Sequence, residues 1–228
     1  MIRVCGWQEL PWLTHGWTSR IAGDFRRLPA GAKLNRRLAV KRMELRLLRQ
    51  VHSNQIHVVR SLESDSGRPE ADGLVSGQAG LLLGVRTADC LALLFVDRRR
   101  RAVAVVHAGW RGTVHGIAAR AVETMQQEFG SIPKGIEVAI GPGIGKCCFE
   151  VGEEVAGQFA PNVVAGGKKR CVDLDAANRR QLLQAGILGE KIWSSNLCTH
   201  CTPQQFFSYR RDGDAAGRML AVIGVKPR

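Results

Sequence analysis

The alternation of apolar and polar positions divides the chain into short strands and a few helices. The clearest signal is a pair of apolar runs, residues 91–96 and 102–106, on either side of Asp97 and four arginines, Arg98 to Arg101. Two β-type runs about a polar tip predict a hairpin. Cys90 then opens the first strand and His107 closes the second, and in an antiparallel pair those ends are neighbours. Residues 55–60, 71–75, 80–85, 136–140, 191–194 and 220–225 read as further strands. Helical periodicity runs over 35–49, where Leu38, Leu45 and Leu48 can share a face. It returns over 113–129, where Ile117, Ala121, Met125 and Phe129 form a stripe and Gly130 supplies a C-terminal stop. Residues 151–159 and 175–185 are two more helices, the second closed by Gly186. Residues 1–33, which hold Trp7, Trp12 and Trp17, read as irregular, and residues 161–169 as a loop. No internal repeat or low-complexity linker interrupts the pattern. Residues 1–228 are therefore expected to form a single α+β domain, with a central mixed β-sheet flanked by helices.

Composition narrows the class. Apolar residues make up 45% and charged residues 23%, which is ordinary for a globular chain. No apolar run approaches the roughly 18 residues of a membrane span. The first residues lack the apolar stretch of a signal peptide, so a cytoplasmic protein with no membrane partner is expected. Seven cysteines in such a chain favour thiols or metal ligands over a disulfide frame. The net charge of +13, from 33 basic and 20 acidic residues, calls for an anionic partner. The arginines are spread along the sequence, and the run at the hairpin tip reads as a solvated face. No nucleic-acid motif accompanies the charge, so no specific nucleic acid is expected. A basic nucleic-acid-binding module is the non-enzymatic alternative.

The candidate chemistry centres on His52, Cys90 and His107. Three such ligands with an open fourth position are the arrangement of catalytic zinc, which lowers the pKa of its water to about 7. Asp89, beside Cys90, is placed to carry a proton or to support a ligand. The same three residues are also the trigonal set of a copper electron-transfer site, but no methionine lies near them in sequence to act as the axial ligand. Cys90 with His107 as its base would make a cysteine hydrolase. The blandest reading is a core thiol and a hydrogen-bonded histidine. No histidine starts the H-x-E of the zinc deaminases. Gly141-x-Gly143-x-Gly145 is neither a Walker loop nor a dinucleotide fingerprint. A multicopper centre needs more histidines than the six present. Cys198-x-x-Cys201, with Cys147 and Cys148, fits a structural zinc site, a redox pair or packed thiols. Arg111 and the amides near Gly112 are suited to an anion such as phosphate. Residues 206–213 set aromatics beside Arg210 and Arg211.

Taken in order, these pieces resemble the YfiH-like family, also called multicopper polyphenol oxidoreductases or laccase-domain proteins and regarded as purine nucleoside phosphorylases. The resemblance is carried by His15-Gly16 with Arg20, Gln50-Val51-His52, Ala71-Asp72-Gly73 and Thr87-Ala88-Asp89-Cys90. It continues through His107-Ala108-Gly109-Trp110-Arg111-Gly112, Gly141-Pro142 to Cys147-Cys148, Glu150-Val151-Gly152, Leu197-Cys198-Thr199, Phe206 to Gly213 and Gly217-Arg218. It implies an α+β fold and zinc on His52, Cys90 and His107, with copper as the alternative metal. It also implies phosphorolysis of adenosine, inosine and methylthioadenosine, with adenosine deamination as a side activity. Purine nucleoside and phosphate are then the small-molecule partners, and the protein a monomer or homodimer. Within the matching motifs, Arg20, Arg111 and Arg210 are the candidates to hold phosphate, because a guanidinium can bind two oxygens at once. Asp89 is the candidate for proton transfer. Related folds that use a Cys–His pair, and relatives linked to peptidoglycan editing, keep a Cys–His hydrolase as an alternative. Residues 20–35 are too few to hold the Ser-Leu-Asn-Leu-Gly and Gly-Asp stretches usual in the family.

Overall fold

The computed structural model describes residues 1–28, 43–62, 67–159, 163–166 and 169–227. In chain order its strands are Leu13–Trp17 (β1), Glu44–Leu47 (β2), Ile56–Val58 (β3), Gly73–Ser76 (β4), Leu81–Thr87 (β5) and Leu91–Asp97 (β6). Then follow Ala102–Ala108 (β7), Ile136–Ile140 (β8), Val163–Gly166 (β9), Lys169–Val172 (β10), Ile192–Ser194 (β11) and Met219–Val225 (β12). The helices are Trp110–Val114 (α1), Ile117–Phe129 (α2), Glu153–Gly157 (α3), Leu174–Gln184 (α4) and Tyr209–Asp212 (α5). One sheet has six strands in the order β11-β8-β6-β7-β4-β3, and a second has four in the order β1-β12-β5-β2. Both are mixed, because β11 on β8, β3 on β4 and β2 on β5 run parallel among antiparallel neighbours.

The central hairpin explains the layering. Successive strand residues point to opposite faces, and in β6 and β7 both faces are apolar. Leu91, Leu93 and Phe95 share a core with Ile117, Ala121 and Met125 of α2 and Leu174, Ala177 and Leu182 of α4. Ala92, Leu94 and Val96 face the other way, onto Leu81, Leu83 and Val85 of β5 and Ala221 and Ile223 of β12. A strand covered on both sides reads as an unbroken apolar run. The expected α+β class is thus observed, with a refinement. Helices cover one face of the six-stranded sheet and a second sheet covers the other. That second sheet has its own outer cover, where Leu45, Leu47, Leu82, Leu220 and Val222 pack with Phe25 and Met43.

Four expectations change. The helix over 35–49 is not what residues 44–47 form: β2 lies parallel to β5, with Leu45 opposite Leu82 and Leu47 opposite Gly84. Leu45 and Leu48 satisfy a helical spacing, but Met43, Leu45 and Leu47 also alternate, and burial on the second sheet selects the alternation. Between them Arg46 is buried, bonded to Glu44 and the Leu62 carbonyl. Residues 35–42 of that expectation lie outside the described residues. The helix over 113–129 begins earlier, at Trp110, and breaks at Gly116, which is left-handed at φ 77°. Residues 161–169 include strand β9, paired with β10. The N-terminal stretch contains β1, held to β12 from Leu13–Val225 to Trp17–Ala221. The hairpin tip is as expected, and its arginines are tied down: Asp97 accepts from Arg99 N and Arg100 N, Arg98 pairs with Glu137, and Arg101 lies over Trp12.

Two expected outcomes follow from this architecture. Gly116 has open space around its Cα, so Gly116→Ala should cost only the left-handed backbone penalty, roughly 1–2 kcal/mol. Gly157 also has open space, at an ordinary φ and inside α3, so Gly157→Ala should stabilise by up to about 1 kcal/mol. Denaturant melts of the two variants check the opposite signs. The second outcome concerns His15, whose Nε2 accepts from Val4 N. Burial first, and then the charge of Arg3, push its pKa down to about 4 from 6.5. The unfolded chain then binds the proton more readily than the folded one. Stability should therefore be complete above about pH 6.5 and fall as the pH drops towards 4. Melts across that window should show a shallower fall in His15→Gln.

Candidate metal centre and cavity

The last pairs of the central hairpin are Leu91–Ala108 and Ala92–His107. Cys90 sits one step beyond the first of these, diagonally across from His107. The third group arrives on a loop. His52 has φ 59° and Asp89 has φ 89°, both in the left-handed region that side chains avoid. Such strain persists only where the surroundings impose it. Asp72, fully buried, is what imposes the His52 turn. Its Oδ2 accepts from Val51 N (3.2 Å), Ser53 N (2.6 Å) and Ser53 Oγ (2.9 Å), the two residues flanking His52. Its Oδ1 pairs with His107 Nδ1 at 2.8 Å. One carboxylate thus orients both imidazoles, and it leaves His107 Nε2 for the site. Gly109 completes the cradle, since a Cβ there would stand 2.9 Å from His52 Nδ1 and 3.0 Å from Cys90 Sγ.

The electrostatics suit a metal. Burial pushes the Cys90 thiol up, but the charge of His107 and hydrogen bonds from both histidines outweigh it and bring the pKa down to about 6. Burial opposes a charged His107, yet the Cys90 thiolate and Asp72 raise its pKa to about 9. Burial also opposes charge on Asp72, and its hydrogen bonds to His107 and Ser53 override that and lower its pKa. Without a metal this is a thiolate–imidazolium pair. The ligand atoms of His52, Cys90 and His107 lie within 4.8 Å of one another. One soft and two borderline donors, the buried histidine oriented by a carboxylate, fit a zinc ion with an open position.

The three residues open onto a cavity of about 670 Å³. Asp89 lines it, with Oδ1 accepting from Thr199 Oγ1 and Oδ2 from Arg210 N, each at 2.6 Å. Arg111 and Arg210 line it too, as does Arg218. Each lies over an aromatic ring: Arg111 over Trp110 at 4.5 Å, Arg210 over Phe149 at 5.5 Å and Arg218 over Tyr209 at 5.8 Å. The rings hold the guanidinium planes against the wall. Arg20 does not line the cavity. Its guanidinium lies over Phe207 and donates to the Pro203 carbonyl. Arg26 and Arg86 line the cavity instead. Arg86 donates to the Arg26 and Leu48 carbonyls. Burial first, and then the charges of Arg68 and of Arg218 on the same wall, lower its pKa.

Sequence reasoning missed the roles of Asp72, Arg26, Arg86 and Arg218. For Asp72 a signal existed, an acid placed between the apolar Ala71 and the strand that begins at Gly73. The arginines carried none, being a few among 33 basic residues.

The chain can now be set beside known proteins. A profile of the family described as multi-copper polyphenol oxidoreductase laccase matches residues 29–226. The purine nucleoside phosphorylase YlmD of Geobacillus stearothermophilus is 37% identical over 211 residues, spanning 83% of this chain and 77% of that protein. Adenosine deaminase RL5, from an unknown prokaryotic organism, is 39% identical over 213 residues, 86% of this chain and 80% of that one. The crystal structure of Bacillus licheniformis hypothetical protein YfiH superposes with a TM-score of 0.84 at 30% identity, covering 96% of this chain and 95% of that chain. Sequence and fold agree over nearly the whole length, and the chain belongs to the multi-copper polyphenol oxidoreductase laccase family, alongside YfiH and YlmD.

Proposed function

We propose that this protein is a zinc-dependent purine nucleoside phosphorylase, with residues 1–228 acting as one catalytic domain. Adenosine, inosine and methylthioadenosine are the substrates, and adenosine deamination is a side activity. The observation that carries the reading is the meeting of His52, Cys90 and His107 with ring-backed arginines on one cavity of nucleoside size. Relatives that bear the names purine nucleoside phosphorylase and adenosine deaminase support it.

Phosphorolysis needs phosphate held beneath the ribose and charge stabilised as the glycosidic bond breaks. A phosphate oxygen attacks C1′, the C1′–N9 bond breaks, and its electron pair leaves with the purine, which takes up a proton. Arg111 and Arg210 hold the phosphate, because a planar guanidinium can bind two oxygens at once. Arg86 takes the place expected of Arg20 and adds fixed positive charge behind them. Such preset charge stabilises the developing negative charge without reorganising at the moment of reaction. Asp89 moves the proton. Thr199 and Arg210 N hold its carboxylate still, so the arginine that binds phosphate also fixes the acid. Zinc, when bound, supplies a Lewis acid for phosphate or purine and can activate water for deamination. Asp72 is a positioning residue throughout, acting through His107 and the His52 turn.

One observation favours a second reading. Cys90, His107 and Asp72 are aligned as nucleophile, base and orienting acid, the order of a cysteine hydrolase. The polyphenol oxidoreductase chemistry in the family's description finds less support. Beyond His52, Cys90 and His107, the other metal-capable cluster among the described residues contains no histidine, and multicopper centres are rich in imidazole.

Two experiments separate these readings. Inosine plus phosphate should yield hypoxanthine and ribose 1-phosphate, followed by mass spectrometry. Arg111→Ala should raise the phosphate requirement about tenfold or more, one lost charge-assisted contact, while Arg99→Ala at the hairpin tip should not. Base release at an equal rate without phosphate would sink phosphorolysis. The other experiment concerns the metal. Asp72→Asn should lower zinc affinity by about 10–100-fold. In metal-stripped wild type, iodoacetamide should label Cys90 with a rate that rises through about pH 6, and zinc should protect it. Cys90 labelled equally fast with and without zinc would favour the hydrolase.

A further inference from the structure

We propose that Cys147, Cys148, Cys198 and Cys201 form a second metal site, a closed four-thiolate zinc centre that staples two loops behind the cavity. The four sulfurs come from segments some fifty residues apart, yet all lie within 4.8 Å of one another. Cys201 Sγ is 3.3 Å from Cys148 Sγ and 3.6 Å from Cys147 Sγ. A tetrahedral zinc with bonds near 2.3 Å sets its sulfurs about 3.8 Å apart, so the spacing suits one ion. It leaves no room for the inorganic core of a multi-iron cluster. An all-cysteine set with no open position is that of structural zinc rather than catalytic zinc.

The backbone is arranged for thiolates. Gly145 N donates to Cys198 Sγ at 3.2 Å, a bond that stabilises a negative sulfur. A Cβ at Gly145 would press on Cys147 Sγ and the Cys198 side chain at 3.3 Å. Positive charge is also close. Arg210 donates to the Cys148 carbonyl and Arg211 to those of Thr199 and His200, which offsets the net negative charge of four thiolates on one divalent ion.

The two loops are already laced by a Gly143–Cys198 bridge and by Thr199 N donating to the Gly143 carbonyl. Both carry cavity groups: Ile144 and Phe149 on one, and Thr199, which holds Asp89, on the other. A metal here fixes the wall on which Arg210 and Asp89 depend. Binding releases thiol protons to solvent and involves no change of oxidation state. The inference does not rest on what the cavity turns over.

The test is cobalt titration of metal-free, fully reduced protein, read by absorption. Wild type should take up two equivalents, one with the intense charge-transfer band of several thiolates. Cys201→Ser should lose that band and one equivalent. Cys90→Ser, altered at the other centre, should retain it with one equivalent bound, and this keeps the test decisive if Cys201→Ser fails to fold. Cys5→Ser, outside both clusters, should behave as wild type. Zinc content by elemental analysis should follow the same pattern. The proposal is overturned if Cys90→Ser binds no cobalt, or if wild type binds a single equivalent with one thiolate. It is also overturned if protein purified anaerobically has these four cysteines in disulfides.

Discussion

The Asp72 carboxylate is the interaction on which the site depends. Burying a carboxylate costs several kcal/mol unless its lone pairs are filled. Here they are filled by two backbone amides, one hydroxyl and one imidazole, and every donor belongs to the metal centre or to the turn that builds it. The same charge therefore solves two problems. It holds His52 in a backbone conformation that a histidine would otherwise leave, and it selects the nitrogen that His107 presents. The packed sheets behind it supply the rigidity. Asp72 immediately precedes β4, which pairs with β7, and His107 N donates to the Asp72 carbonyl. His107 on β7, and Asp72 and Cys90 at the starts of the neighbouring strands β4 and β6, are thus placed by one sheet, and His52 is added by a loop.

Layering also explains why the site opens where it does. Strands β6 and β7 are covered by helices on one face and by the second sheet on the other, so neither face of the hairpin can host solvent. Only its end is free. There the chain must leave the sheet at Cys90 and enter α1 after Ala108, and the break at Gly116 lets α1 turn across the end before α2 packs on the core. Asp89, Trp110 and Arg111 are the residues next to those exits. Function is concentrated at the strand ends because the sheet faces are spent on stability.

How much of this was legible in the sequence differs by element. The hairpin, its arginine tip and the meeting of Cys90 with His107 were readable, because two apolar runs of matched length leave one register. The Gly130 stop and α4 were readable for the same local reason. Strand β2 was not, since Leu45 and Leu48 fit a helix as well as Leu45 and Leu47 fit a strand, and only the neighbouring β5 decides. Strand β1 was hidden among tryptophans and turn residues; its pairing with β12 joins chain ends more than 200 residues apart. Asp72 and Arg86 belong to the same class. Their roles arise from partners distant in sequence: the setting of Asp72 between Ala71 and β4 hints at a buried acid but not at its partners, and nothing beside Arg86 announces a cavity cation. Arg20, inside a matching motif, turns its side chain to Phe207 and Pro203 and does not line the cavity.

Two groups among the 33 basic residues are held in different ways. At the hairpin tip, Arg98 pairs with Glu137, Arg100 donates to the Gly130 carbonyl and Arg101 lies over Trp12. Of the cavity arginines, Arg26 pairs with Asp24, and the others are handled differently. Arg86, Arg111, Arg210 and Arg218 have no carboxylate ion-pair partner among the described residues, and carbonyls and aromatic faces hold them instead. Carbonyls and rings fix a guanidinium without cancelling its charge. Two unit charges 4 Å apart at an effective dielectric of about 20 repel by roughly 4 kcal/mol, so cations crowded on one wall raise the energy of the empty cavity. Burial is the main cause of the lowered pKa of Arg86, and repulsion from Arg68 and Arg218 adds to it. An anion entering the cavity relieves it, and relieves it most where the guanidinia are already oriented. The aromatic residues belong to this device: Trp110 holds Arg111, its neighbour in sequence, while Phe149 holds Arg210 and Tyr209 holds Arg218, so the charge stays in place and remains available to a ligand.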